Sequence, residues 1–209
     1  MRVESARYAL LRRLASALRH NLVMHLQPIG MVTEVLDRRL RAPAPDLAQV
    51  NDAARKINTL SKTAVNACLD VVSWLAPDPA ATVSAEAAIS ETMDLLRSNF
   101  SFRGFALKAE AGVPQAIGRS AARMLLPGAL LALSDTTRAP AEITIGATAE
   151  GEFVHLRIRV QALEAAAPDP ADPTYRRLRW EEIEALAGAE DVSLKRSETE
   201  VTLEFVILE

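Results

Sequence analysis

Leu11, Leu14, Leu18, Leu22, His25, Ile29, Val32 and Leu36 recur at spacings of three or four residues. That period is the signature of one continuous helix with a narrow apolar stripe, here about seven turns long. The last turn runs from Asp37 to Leu40, and Arg41-Ala-Pro-Ala-Pro45 then breaks the helix, because proline removes a donor and clashes with the preceding turn. Asp46 is placed to cap a second helix. Its stripe is Val50, Ala54, Ile57, Leu60, Ala64, Cys68, Val71 and Leu75, and Pro77 and Pro79 end it. The first 79 residues therefore read as an antiparallel helical hairpin. Two helices cannot cover both of their apolar faces alone. A twofold homodimer that closes a four-helix bundle buries them, and so does packing of the hairpin on the C-terminal half of its own chain. The homodimer is the expectation, since both helices exceed the average length by a wide margin.

The pattern changes after Pro79. Ser84 to Asn99 is an amphipathic helix, Phe105 to Ala109 a short strand, and Arg119 to Ser134 a helix apolar nearly all round, hence buried. Glu142 to Ala149 alternates, Glu150-Gly151 marks a turn, and Phe153 to Val160 alternates cleanly, with Val154, Leu156, Ile158 and Val160 on one face. Arg179 to Ala187 is a short helix that Gly188 is placed to end, and Val192 to Arg196 with Val201 to Leu208 makes a closing hairpin. The segment Glu164 to Thr174 is acidic and proline-rich and reads as a mobile loop. The expected class is α+β: a helical hairpin over residues 1–79, then a sandwich over 80–209 with helices on one face of a sheet.

Composition removes several functions. With 27 acidic against 24 basic residues, the net charge of −3 disfavours a nucleic-acid binder. The single cysteine, Cys68, excludes an internal disulfide, and three histidines beside it make a structural zinc site improbable. No apolar run reaches the roughly 20 residues of a membrane span. Met1 to Arg19 is arginine-rich and amphipathic like a transit peptide, but its stripe continues past any cleavage site, so a cytoplasmic protein is expected.

His20 lies two residues before Leu22, about 200° around the helix, and so points away from the stripe that carries His25. An exposed imidazole near neutral pKa is the group that phosphoryl transfer needs. The first 33 residues hold five arginines and one acid, so this end is locally basic; Arg19 and Arg13 lie on the same general side as His20, either as phosphate attractors or as solvated charges. The surrounding run, Leu18-Arg-His-Asn-Leu-Val-Met-His-Leu-Gln-Pro-Ile29, resembles the H-box of sensor histidine kinases in its Arg-His-Asp-x-x-Asn-His-Leu-Gln variant, through Arg19, His20, Asn21, His25, Leu26, Gln27 and Ile29. The order of parts, a dimerisation hairpin and then a GHKL-like sandwich, is similar too. The resemblance makes His20 the phospho-acceptor, with Asn21 and Arg19 beside it.

The departures from that family carry as much meaning. Asn21 replaces an acidic neighbour, and an amide cannot accept a proton. Met24 replaces a polar residue that orients water in phosphatase-competent relatives. Pro28 comes later than the family's proline, with a kink expected there. Pro127 and Leu131 stand where the family has asparagines that hold Mg²⁺, and neither offers an oxygen donor. No glycine occurs between Gly151 and Gly188, so there is no glycine-rich phosphate loop, and Gln161-Ala-Leu-Glu-Ala165 replaces the expected Asp-x-Gly-x-Gly. The acidic loop 164–174 falls where the ATP lid would be. The resemblance thus implies a histidine phosphotransferase, or a degenerate kinase acting as one, with no cofactor of its own. Its partner is the receiver domain of a response regulator, which brings its own Mg²⁺. Two alternatives stay open: a non-catalytic pseudokinase that docks a regulator, and an atypical ATP-dependent kinase. His155, Arg157 and Arg159 share the polar face of one strand, as an anion site or as a solvated sheet face. Trp74 and Trp180 read as packing anchors.

Overall fold

A computed structural model describes residues 2–163 and 175–208, so the acidic loop 164–174 lies outside the described residues. Two long helices open the chain: α1 (Arg2–Leu40) and α2 (Leu47–Leu75). They are followed by β1 (Thr82–Ser84), α3 (Ala85–Phe102), β2 (Phe105–Ala109), β3 (Ala116–Gly118), α4 (Arg119–Thr136), β4 (Ala141–Glu150), β5 (Phe153–Ala162), α5 (Trp180–Ala189), β6 (Ser193–Arg196) and β7 (Glu200–Val206). The architecture is α+β, with N-terminal helices and a mixed sheet.

Two compact units emerge. One is residues 16–77, most of the hairpin; the other joins residues 1–15 to 78–209. In the hairpin, Asp46 caps α2 as its position suggested, with Oδ1 accepting from the amides of Ala48 (2.9 Å) and Gln49 (3.3 Å). Pro28 sits inside α1, which stays helical through it. Ala53, Ala64 and Trp74 are buried on α2, whereas Ala54, Cys68 and Leu75 of the expected stripe are exposed. A second apolar stripe lies beside the expected one and is exposed as well. Val65, Leu69 and Val72 are neighbours at helical spacing and stand 58%, 61% and 55% exposed. Met24, Met31 and Val35 do the same on α1.

The second unit is a two-layer sandwich. Its sheet has the order β2-β4-β5-β7-β6; β2 runs parallel to β4 and every other neighbour is antiparallel. A parallel pair requires a crossover, and α4 lies within the one between β2 and β4. Val154, Leu156, Ile158 and Val160 are buried as the alternation required, and face the helical layer with Ile143, Ile145, Val201, Leu203 and Phe205. Every residue of α4 from Ala121 to Asp135 is buried. β1 and β3 form a small separate antiparallel pair that sequence periodicity missed, since three residues hold too little alternation.

Two expectations need correction. The helix at 180 does not end at Gly188, which lies inside α5; it ends at Ala189, the amide of the capping Glu190 bonds to the carbonyls of Leu186 and Ala187, and Asp191 takes the left-handed conformation at φ 53°. Aspartate tolerates that region because its short polar side chain bonds locally. Helix α1 also begins well before Leu11. Ala6, Ala9, Leu10 and Leu14 are buried in the sandwich unit. A Cβ placed on Gly128 of α4 would meet Leu10 Cδ1 at 3.8 Å and Ile183 Cδ1 of α5 at 3.1 Å, so the first turns of α1 belong to the helical layer.

Candidate functional site

His20 is exposed on α1, as are Arg19 and Met24, while Asn21 and His25 are half-buried. This is the division the helical period required: His25 shares the face of Leu22 and Ile29, and His20 does not. Among the described residues neither His20 nor Arg19 has a hydrogen-bonding or ionic partner, so both are presented to whatever approaches the helix. Asn21 follows His20 by 100° of helix rotation and offers an amide, a donor and acceptor that cannot serve as a base. Arg13 does not share in this arrangement. Its Nη2 donates to Asp135 Oδ1 (2.9 Å) and Oδ2 (3.2 Å), and its guanidinium carbon stands 3.5 Å from the centroid of the Tyr175 ring. It is a structural cation and is not available to phosphate.

Asp135 is the functional-looking residue that the sequence reading missed. Its side chain is 1% exposed, yet it carries Arg13, Arg103 Nη2 (2.9 Å) and the Leu178 amide (3.2 Å). Arg103 Nη1 also donates to Ser134 Oγ (2.9 Å). A carboxylate so deep in the protein is tolerated because two guanidiniums and an amide replace its water. The available signal was an acid closing an otherwise apolar stretch, Met124 to Leu133.

The outward face of α4 is thereby filled. Gly128 faces Leu10 and Ile183, and Asp135, seven residues on and so on the same face, holds Arg13 and Arg103. Pro127 and Leu131 are both buried and offer no side-chain oxygen. Among the described residues, no three His, Cys, Asp or Glu side chains are grouped to hold a metal ion. Mg²⁺ is held by oxygen ligands, and neither Pro127 nor Leu131 supplies one.

The polar face of β5 is neutralised from within. Arg157 lies 3.5 Å and Arg159 3.1 Å from Glu200, and His155 is 3.6 Å from Glu204. That is a solvated, ion-paired sheet face. Trp74 is buried; Trp180 is half-buried under Arg196, at 5.1 Å from its ring centroid.

No protein-family model matches the sequence, and no curated protein matches it. Solved structures are similar to it in fold. Histidine kinase AdeS of Acinetobacter baumannii is 11% identical with a TM-score of 0.49, over 87% of this chain and 98% of that one. A histidine kinase from Burkholderia phymatum is 20% identical with a TM-score of 0.47, over 93% and 97%. A structure described as a bacterial phosphotransferase is 13% identical with a TM-score of 0.42, over 94% and 95%. No helix among the described residues is long and apolar enough to cross a membrane.

Proposed function

We propose that this chain is a two-component phosphotransfer protein in which His20 carries the phosphoryl group between aspartates of receiver domains, without ATP. The observation that carries the reading is the exposure of the His20 ring on α1, inside the run Arg19-His20-Asn21 that resembles an H-box. In the transfer, an imidazole nitrogen attacks the aspartyl phosphate of the receiver domain. The P–O bond to the carboxylate breaks, a P–N bond forms, the carboxylate leaves and the imidazolium proton passes to solvent. The reverse step hands the group to a second receiver. The Mg²⁺ for this chemistry belongs to the receiver domain, so the filled face of α4 and the amide at Asn21 are no obstacle. Arg19 supports the reading as a free cation one residue from His20. The exposed stripes Met24, Met31, Val35 and Val65, Leu69, Val72 support a homodimer, since apolar surface of that extent is covered by association in most proteins.

The test uses the full chain and a panel of purified receiver domains phosphorylated with acetyl phosphate. Acid-labile label on the wild-type chain, absent in His20→Ala, is the expected result. Label that survives in His20→Ala sinks the assignment, and a stable complex with no label on the chain replaces it with the docking reading. A thermal shift on adding ATP and Mg²⁺ would favour the kinase reading instead.

A further inference from the structure

We propose that the free edge of β2, with the groove between it and α3, is a docking site for a short extended segment of a partner protein that carries a lysine or arginine. Nothing in it depends on His20. The strand order places β2 at one edge of the five-stranded sheet. The Gly104 carbonyl accepts from the Ala141 amide (3.3 Å) and the Glu110 amide donates to the Ile145 carbonyl (2.7 Å), so the even-numbered residues between them turn their peptide groups toward β4. Phe105, Leu107 and Ala109 turn theirs the other way, where no strand lies among the described residues. Phe105 is 5% exposed, Leu107 9%, and Ala109 is exposed, so the edge opens toward its C-terminal end. Unpaired groups at such an edge bond to water or to an added strand, and folded proteins commonly guard them with a charge. The lysine of this strand does not serve that purpose: Lys108 Nζ is drawn across the outer face to Glu142 (2.5 Å).

The groove beside the open end gives the site its chemistry. It holds about 240 Å³, between α3 and the end of β2. Ile89 and Met93, both buried, line its floor, and Glu86, Asp94 and Glu110 stand around it against the cation Arg97. Glu110 is 3.7 Å from Arg159, whereas Glu86 and Asp94 have no ionic partner among the described residues. A Cβ on Gly112 would stand 2.7 Å from that of Glu86, so the connection after β2 is pressed against α3 and the groove has a fixed end wall. An apolar floor under uncompensated carboxylates fits a long aliphatic stem with a cationic head. The strand edge beside it fits the extended backbone that would deliver such a side chain.

The experiment measures binding of fluorescein-labelled peptides Thr-Val-Xaa-Val-Thr to the full-length chain by fluorescence polarisation, with Xaa arginine, lysine, glutamine or glutamate. The arginine and lysine peptides are expected to bind about tenfold more tightly than the glutamate peptide at low salt, and the preference is expected to shrink as salt is added. Glu86→Gln combined with Asp94→Asn, at two exposed positions, is expected to weaken the arginine peptide about tenfold. Methylating the amides of the two valines, or that of Xaa, should abolish binding in one case and spare it in the other, since only alternate residues bond to a strand edge. Amide exchange at Leu107 and Ala109 should slow on binding. Absence of binding by both cationic peptides at millimolar concentration overturns the proposal, as does binding that is indifferent to Xaa or that leaves exchange at Leu107 and Ala109 unchanged. If the double variant does not fold, the Xaa series and the exchange rates of the wild-type chain decide. Protection of Leu107 and Ala109 that grows with the concentration of the chain alone gives the edge to a second copy and overturns the proposal too.

Discussion

Glu91 illustrates how single residues hold the sandwich together. It receives hydrogen bonds from Arg119 Nη2 (3.1 Å) and from Arg123, whose side chain is 4% exposed. Burial pushes the carboxyl upward, but the hydrogen bonds and charge of Arg123, then of Arg119, outweigh it and hold the group below its ordinary value of 4.5. A folded-state pKa below the unfolded one stabilises the protein above the unfolded value, and that stabilisation is lost as pH falls through the folded one. Urea unfolding of wild type against Glu91→Gln therefore gives a gap of about 1.5–3 kcal/mol at neutral pH that narrows below pH 4.5. A gap independent of pH would remove Glu91 from the acid limb. The exposure of His20 was legible at this scale because helix geometry alone separates it from the His25 face. The clasp at Asp135 was not, since Arg13 lies 122 positions from its partner and no local pattern joins them.

Among the elements, α5 offers the sharpest test. Gly188 lies within it at an ordinary helical φ, and a Cβ there would meet nothing within 4 Å. Glycine in a helix interior leaves the unfolded chain more freedom than alanine does. Gly188→Ala is expected to stabilise the protein by about 0.5–1 kcal/mol in chemical denaturation; a loss of stability would mean that α5 does end there. In α4 the same logic runs the other way. Leu130 is fully buried, and Leu130→Ala should cost about 2–5 kcal/mol, read as a fall in the urea midpoint. Apart from the short β3, the element types from Ser84 onward were legible because alternation and helical period are strong in β5 and α4. The start of α1 was hidden because its buried positions include Ala6 and Ala9, small residues that barely register as a stripe.

At the scale of the whole molecule, the exposed stripe on α2 predicts association. Leu69→Glu, which puts a charge into the centre of that stripe, should shift the chain from dimer toward monomer in analytical ultracentrifugation while leaving its helix content unchanged by circular dichroism. A wild-type chain that sediments as a monomer at high micromolar concentration would remove the homodimer. The unit boundaries have a further consequence, one that concerns time. Residues 2–15 pack with α4 and α5, which are made more than a hundred positions later. Those turns are therefore made long before the helices they pack against, and they find their place only once α4 and α5 have followed.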